Sequence, residues 1–240
     1  MVLIGTESRR GFVIANPTPR KLQEPEDGAS ARQRILDAAF SAFMEGGYAA
    51  TSTLEIATRA RVSKRALYEL VGNKQEMLTA CITARARRLR APADLPEPRD
   101  RETLALILVT FAAQLLREVS DPTVMAVFRL AIAEAVRAPE VARVVESIGV
   151  GTSRAALREI MTRARSWGLV GGQPDEMAEH FAGLLWGNLK IGLLLRVTDR
   201  PDSQEIARRA RDAAAAFLRL YPPPNGDESI PAPPKPAIVR

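Results

Sequence analysis

The chain has 240 residues with a formal net charge of +6, and hydrophobic residues make up 46% of it. This length and this hydrophobic content allow one substantial core beside a small domain. One cysteine and one histidine exclude an intrachain disulfide and a zinc site of Cys and His ligands, so we expect no metal or cofactor and a reducing, cytoplasmic location. The whole positive surplus lies in residues 1–92, which favours a nucleic-acid partner for that end of the chain.

The two ends of the chain lack the periodicity of packed structure. Residues 1–30 contain basic side chains among glycine, proline and acidic residues, and they are predicted to form a flexible arm. This arm either reaches into a minor groove or only extends the chain. Residues 222–240 are rich in proline and are predicted to be unstructured.

Residues 31–78 are predicted to form three short helices and the start of a fourth. The first helix has an apolar face and ends at Gly46-Gly47, because glycine adopts the left-handed conformation of a C-cap without steric cost. Hydroxyl side chains at 51–53 offer caps for the second helix. A turn at 60–62 leads to the third, which Ser63 caps and whose Leu67 packs inward. This arrangement is typical of a helix-turn-helix, in which the third helix enters the DNA major groove.

Basic and hydroxyl side chains gather around the predicted third helix. Lysine and tyrosine at such positions contact phosphates and set the register on the duplex, whereas an arginine there can read a base edge. The alternative is an ordinary three-helix unit with a solvated basic face. The predicted DNA-binding residues are Thr51, Ser52, Arg61, Ser63, Lys64, Arg65, Tyr68 and Lys74.

The remainder of the chain, up to residue 221, is predicted to be helical throughout. One helix is expected over 139–167, with a kink at Gly149 and Gly151, and another over 174–197. The stretch 181–197 is the most apolar, but polar residues interrupt it, so we expect no membrane span and no membrane partner.

The predicted helix over 174–197 is more apolar than one buried face requires, and the last predicted helix, over 201–221, adds further apolar residues. A helix-turn-helix protein usually reads two half-sites about 34–36 Å apart as a two-fold dimer. We therefore expect these helices to form a four-helix interface between two copies, the alternative being that they only complete the monomer core. The predicted interface residues are Phe181, Leu184, Gly187, Ile191, Leu194, Ala210, Ala214 and Phe217.

The N-terminal motifs resemble the DNA-binding domain of the TetR family of bacterial transcriptional regulators. The family usually has glycine where Arg61 stands, so a left-handed residue there is expected to strain the turn by about 1–2 kcal/mol. It often has small residues where Arg65 and Ala66 stand, which implies an extra cation facing DNA. The matching pieces are RILDAA at 34–39, GGYAATS at 46–52, EIATRA at 55–60, VSK at 62–64, LY at 67–68, and Lys74 with Glu76 and Leu78.

The C-terminal part resembles the AefR-like branch of the same family, on FRLAIAEAVRAPEVARVV at 128–145, SWGLV and PDEMAEHFAGLLWG. In such proteins the helices between the DNA-binding domain and the dimer bundle surround an effector pocket, and few polar groups imply a lipophilic small molecule. Plain core packing is the alternative for each lining residue. The predicted lining residues are Cys81, Leu108, Phe111, Leu115, Phe128, Ile132 and Trp186.

The combined expectation is an all-α protein with an N-terminal three-helix helix-turn-helix domain at 31–78 and a C-terminal helical ligand-binding and dimerisation domain at 79–221. We expect a homodimeric repressor that binds double-stranded DNA at a palindromic operator and that an unidentified small effector releases. An activator of the same fold and a helical dimer scaffold without specific DNA binding are the alternatives. An enzyme is the least expected class, because no GxGxxG, GxxxxGK[ST] or GxSxG motif is present and the single histidine lies on an apolar helix.

Overall fold

All regular structure in the part of the chain that the computed structural model describes, residues 26–90 and 96–224, is helical. The predicted all-α fold is thereby confirmed. The predicted tail lies outside the described residues apart from its first three positions, and so does the predicted arm up to residue 25. The first helix begins at Glu26, inside the predicted arm. No single helix in the described ranges is both long and apolar enough to cross a membrane.

The N-terminal helices pack around a small core of fully buried side chains, among them Ile35, Phe43, Ile56 and Leu67. Asn73 and Glu76 form a reciprocal capping box at the start of the fourth helix, which satisfies two of its free amides. The fourth helix continues into a 3-10 turn at Arg87–Leu89. These helices are α1 (Glu26–Gly46), α2 (Thr53–Ala60), α3 (Lys64–Leu70) and α4 (Lys74–Ala86).

The C-terminal helices begin at aspartate caps in three places, since Asp100, Asp121 and Asp202 each accept a hydrogen bond from a backbone amide of the first turn. A wide π-helical turn at Val145–Val150 joins two of them, and the distortion expected near Gly149 takes this form. The helices are α5 (Arg101–Val119), α6 (Pro122–Glu134), α7 (Pro139–Val144), α8 (Gly151–Ser166), α9 (Pro174–Trp186), α10 (Leu189–Leu195) and α11 (Ser203–Leu220).

The expectation of one continuous helix over 174–197 is wrong. The chain breaks between α9 and α10 at Gly187, whose φ of 43° and ψ of −127° suit glycine but not residues with a side chain. The apolar pattern continues across the break, because both halves bury residues in the same core. Because the apolar pattern of the sequence continues through Gly187, it does not reveal that the helix ends there.

Two hydrophobic cores meet at α6. The first joins α1–α4 to Val127, Ala131 and Val141, so it extends beyond the predicted domain boundary at residue 78. The second is formed mainly by α5, α8, α9 and α11. Phe128, on α6, packs against both cores. Because close-packed cores transmit displacements, α6 links the two parts of the chain mechanically.

Candidate DNA-binding surface and ligand cavity

The turn between α2 and α3 has the geometry of a helix-turn-helix. Arg61 ends α2 in the left-handed conformation, with φ 55° and ψ 47°, and its side chain is exposed. A non-glycine residue therefore adopts the left-handed conformation at this turn, as expected. The Ser63 hydroxyl accepts a hydrogen bond from the Ala66 amide at 3.0 Å and caps α3, while Ser52 caps α2 in the same way.

The outer face of α3 carries Lys64, Arg65 and Tyr68, all exposed, above the buried Leu67. Arg65 forms an ion pair with Glu69 at 2.8 Å. Exposed ion pairs of this kind are weak, so DNA can replace Glu69 as the partner of Arg65. The Tyr68 hydroxyl lies 3.3 Å from the hydroxyl of Thr53, which adds a residue that the sequence interpretation used only as a cap. A short helix with positive charge on its exposed face can enter the major groove of DNA.

Thr51 does not belong to this surface. Its side chain is only 3% exposed, and its hydroxyl lies within hydrogen-bonding distance of the carbonyl oxygens of Ala42 and Gly47. The prediction that Thr51 contacts DNA is wrong, because its hydroxyl donates inside the turn between α1 and α2. Its neighbour Ser52 is exposed.

Lys74 points back into the protein rather than outward. Its ammonium donates to the carbonyl oxygens of Tyr48, Ala49 and Thr51 at 2.9, 3.4 and 3.1 Å. It also lies 4.5 Å from the centroid of the Tyr48 ring. An ammonium has three donors, and all three are engaged here. These bonds contradict the predicted contact of Lys74 with DNA, and the geometry gives Lys74 a structural role in this turn.

Glu134 is a buried carboxylate that the sequence interpretation did not select. Its Oε1 accepts a hydrogen bond from the Ala49 amide at 3.1 Å, across the two parts of the chain. Its Oε2 is buried and has no hydrogen-bond partner among the described residues. A glutamate at the end of the apolar stretch FRLAIAE was the available signal. Burial of a carboxylate costs free energy, and Glu134 is buried in contact with the N-terminal helices. Glu134 is therefore a candidate functional residue.

A cavity of about 260 Å³ lies among α5, α6, α8, α9 and α10. We call it the ligand cavity. Its volume lies just below the usual range for small-molecule sites, roughly 300–1,000 Å³. The residues that line it are Leu89, Leu115, Val119, Phe128, Gly149, Val150, Ser153, Arg154, Leu157, Ala178, Glu179, Ala182, Trp186 and Lys190.

Three of the seven predicted lining residues, Leu115, Phe128 and Trp186, do line the ligand cavity. Leu108 and Phe111 do not, since they are buried in the C-terminal core. Ile132 is 63% exposed and is not among the lining residues. Helical periodicity identified buried faces but did not distinguish a face that lines a void from one that fills a core.

Cys81 also lies outside the ligand cavity, within the N-terminal core. Its thiol donates to the carbonyl oxygen of Leu36 at 3.3 Å. Burial raises the pKa of this thiol to about 11, and the positive charge of Arg85 opposes this effect. The predicted role of Cys81 in the pocket is therefore wrong, and its position is that of a buried structural cysteine.

The predicted dimer residues divide into two groups. Phe181, Ala210, Ala214 and Phe217 are buried in the core of a single chain, so their assignment to an intersubunit surface is wrong. Phe181 and Phe217 meet edge to face with ring centroids 5.5 Å apart. The other group is on the outside: Leu184 and Ile191 are 43% and 53% exposed, Gly187 is exposed and Leu194 is half-buried.

Two family models match the chain and together cover about two thirds of it. One, described as bacterial regulatory proteins of the tetR family, matches residues 35–81. The other, described as the C-terminal domain of AefR-like transcriptional repressors, matches residues 107–223. None of the curated proteins matches the sequence significantly.

Solved structures give the same result over most of the chain. A TetR transcriptional regulator from Agrobacterium tumefaciens is 29% identical over 80% of this chain and 95% of its own, with a TM-score of 0.66. The flavonoid-responsive regulator FrrA is 27% identical over 82% of this chain and 100% of its own, with a TM-score of 0.70.

A protein from Mesorhizobium loti MAFF303099 that is classed with TetR-family regulators is 26% identical over 83% of this chain and 100% of its own, with a TM-score of 0.66. The N-terminal family match includes the exposed basic α3 and its capped turn, so the sequence comparison and the geometry identify the same DNA-binding unit. The chain belongs to the TetR family of DNA-binding transcriptional regulators, which are not enzymes, and carries an AefR-like C-terminal domain.

Proposed function

We propose that this protein is a dimeric repressor that binds a palindromic operator and is released from it by a small lipophilic effector in the ligand cavity. The observation that carries the proposal is the position of α6. Phe128 of α6 lines the cavity, and Glu134 at the end of the same helix hydrogen-bonds the turn before α2. One rigid helix thus touches both the ligand site and the DNA-binding end.

Contact with DNA is assigned to α3 and to the residues before it. In our proposal Lys64 and Tyr68 contact phosphates, and Arg65 reads a base edge once Glu69 releases it. The exposure of all three side chains and the weak Arg65–Glu69 ion pair support this assignment. A bidentate contact of arginine with guanine discriminates by about 1–3 kcal/mol. Ser52 and Arg61, which cap the two ends of α2, are also exposed.

Dimerisation is assigned to the exposed apolar face of α9 and α10. Leu184, Ile191 and Leu195 are large apolar side chains with 43%, 53% and 65% of their surface exposed. A Cβ added at Gly183, on α9, would meet nothing within 4 Å, so a second helix can approach closely there. Exposed apolar residues that lie together commonly mark an interface with another chain.

Release from DNA requires a ligand that favours one arrangement of the two DNA-binding ends over the other. A ligand that binds both arrangements equally shifts nothing. In our proposal the ligand alters the packing around Phe128, and α6 passes the displacement through Glu134 to the turn that precedes α2. Because FrrA is described as flavonoid-responsive, a panel of flavonoids is the first set of ligands to test on this chain.

The proposal is tested by selecting bound fragments from random DNA and then measuring affinity for the selected site with each flavonoid. A palindromic consensus, a footprint that overlaps a promoter and a weaker affinity with ligand are the expected results. Arg65→Ala should change the selected sequence. Arg158→Ala, on α8 far from α3, removes the same charge from another exposed site and is the matched control.

Two results would contradict this proposal. Absence of any enriched sequence would favour a helical scaffold without specific DNA binding. A footprint upstream of the promoter, with transcription in vitro that rises when the protein is bound, would make the protein an activator of the same fold.

A further inference from the structure

Lys190 is the least compensated charge in the ligand cavity. It lies on α10, is half-buried, and lines the cavity wall. Its ammonium is 4.6 Å from the centroid of the Phe128 ring. Among the described residues, no carboxylate oxygen lies within 4.0 Å of the Lys190 ammonium, and no group accepts a hydrogen bond from it. Burial lowers its pKa, with no nearby acidic group to oppose the effect.

The other charged groups of the lining do not compensate Lys190. Arg154 pairs with Glu146 at 3.2 Å, and both side chains are 60% exposed. Glu179 is exposed on α9 and lies outside ion-pair distance of Lys190. The other lining residues are apolar except Ser153, and they include Phe128, Trp186 and Leu157. The cavity therefore presents one partly desolvated cation beside an apolar space.

The position of Lys190 is fixed by contacts between α6 and α10. Arg129, next to Phe128 on α6, donates to the carbonyl oxygens of Leu194 and Leu193 at 2.9 and 2.7 Å. These bonds also satisfy the C-terminal end of α10, where carbonyls lack partners within the helix. The Lys190 ammonium and the Phe128 ring are thus held beside each other before any ligand binds. This lowers the entropic cost of ligand binding.

We propose that the ligand cavity selects an amphipathic organic anion, such as an aromatic carboxylate. Its anionic group binds Lys190, and its apolar body lies between Phe128, Trp186 and Leu157. The inference rests on the proposed function of the cavity as the effector site. The face of a phenyl ring compensates an ammonium only in part, whereas a carboxylate accepts charge-assisted hydrogen bonds from it. A neutral ligand would leave the ammonium desolvated, and a cationic one would be repelled.

The test uses two probes that share one apolar body and differ in charge. Anilinonaphthalene sulfonate is an anion, and N-phenylnaphthylamine is its neutral counterpart. Both are titrated into the full-length protein, with fluorescence and calorimetry giving affinity and stoichiometry. The expected result is one strong site per chain that binds the anion at least tenfold more tightly, a difference of about 1.4 kcal/mol. Naphthoate should displace the bound anion, and naphthalene methanol should not.

Three variants separate charge from packing. Lys190→Met should weaken binding of the anion at least tenfold and leave binding of the neutral probe within about twofold. Lys190→Arg should keep most of the affinity for the anion, because the charge remains. Arg158→Met removes a cation from the exposed surface of α8, outside the cavity lining, and serves as the control for the loss of one positive charge. A melting temperature for each variant shows that the fold is kept.

The outcomes also distinguish this inference from the proposed function. Equal losses for both probes in Lys190→Met, or no loss for either, would overturn the preference for an anion and leave the cavity as a ligand site. Failure of both probes to bind the unmodified protein would overturn the preference and the site together. Binding that depends on Lys190 but leaves affinity for the selected DNA unchanged would support the ligand class and contradict the cavity's role in release.

Discussion

The carboxylate of Glu134 accepts a hydrogen bond from the backbone amide of Ala49 at 3.1 Å, and this bond joins α6 to the turn between α1 and α2. The approach is close: a Cβ added at Gly47 would lie 2.8 Å from Oε1 of Glu134. On its other side the same turn is held by Lys74, at the start of α4. The turn before α2 is therefore fixed by the two helices that connect it to the rest of the protein.

Replacing Glu134 with alanine should loosen this turn. A hydrogen bond to a charged group contributes about 1.5–3 kcal/mol. We expect hydrogen exchange at the Ala49 amide to become at least about tenfold faster, which corresponds to about 1.4 kcal/mol of lost protection. Glu134→Gln keeps an oxygen acceptor at the same position and should retain the protection. Exchange measured by NMR checks both variants, and unchanged exchange in Glu134→Ala would mean that the bond does not secure the turn.

Lys64 and Lys74 should behave differently although both are lysines near α3. Lys74→Ala removes three hydrogen bonds to carbonyls and should lower the free energy of unfolding by about 1–3 kcal/mol. Lys64→Ala, on an exposed site, should change stability by less than about 0.5 kcal/mol. It should instead reduce the salt dependence of DNA binding by about one ion. Urea denaturation and binding at several salt concentrations measure the two effects, and equal stability losses would contradict the assignment.

Arg61→Gly should stabilise the fold. A non-glycine residue in the left-handed conformation costs about 1–2 kcal/mol, and the greater unfolded-state freedom of glycine offsets about 0.5–1 kcal/mol of the gain. The net increase in unfolding free energy should be roughly 0.5–1 kcal/mol. DNA affinity should fall, because the variant loses an exposed cation at the DNA-binding turn.

Arg196 provides the matched control for Arg61. It also has a positive φ, 59°, but it ends α10, far from α3. Arg196→Gly should give a similar stabilisation and leave DNA affinity unchanged. Thermal unfolding and binding anisotropy on both variants decide the matter, and equal losses of DNA affinity would remove Arg61 from the DNA-binding surface.

Local chemistry made the helix-turn-helix predictable. The Ser63 cap and the inward Leu67 each depend on neighbours within four residues, and both are as expected. The left-handed Arg61 is also as expected, but that expectation came from the family resemblance, in which glycine usually stands at this position. Lys74 was misplaced because its partners lie more than twenty residues earlier in the chain. A flexible four-carbon side chain can turn toward solvent or toward a distant carbonyl, and spacing along one helix does not decide between them.

The same distinction explains the pocket and the interface. Periodicity marks Phe217 and Leu184 alike as apolar positions, but only packing shows that the first is buried and the second exposed. Phe128 and Leu108 are likewise indistinguishable along the sequence, although a void lies beside one and a filled core beside the other. Glu134 and Lys190 make their contacts with helices that are distant in sequence. The apolar stretch around Glu134 marks it as unusual, but no local pattern identifies the partner of either residue.

Charges placed on the exposed face of α9 and α10 should separate the dimer. Ile191→Glu and Leu184→Glu each put a carboxylate into the proposed interface, where burying an unpaired charge is costly. We expect monomers at micromolar concentration in sedimentation. Val136→Glu, at a position 94% exposed after α6, is the control and should remain dimeric. Phe217→Ala should instead destabilise each chain, by about 3–5 kcal/mol. Intact dimers in both glutamate variants would place the interface elsewhere.

Cys81 should make stability fall at high pH. Burial raises its pKa in the folded state to about 11 from the ordinary value of 9.0, so the folded state favours the neutral thiol. This contribution is complete below pH 9.0 and is lost as the pH rises toward 11, at up to about 1.4 kcal/mol per pH unit. Between pH 9.0 and about 11, the unmodified protein should therefore lose more unfolding free energy than Cys81→Ala, as measured by urea denaturation. The thiol should also react slowly with a disulfide reagent at neutral pH until urea unfolds the chain. Parallel pH profiles for the two proteins, or rapid reaction in the native state, would show that Cys81 is accessible to solvent.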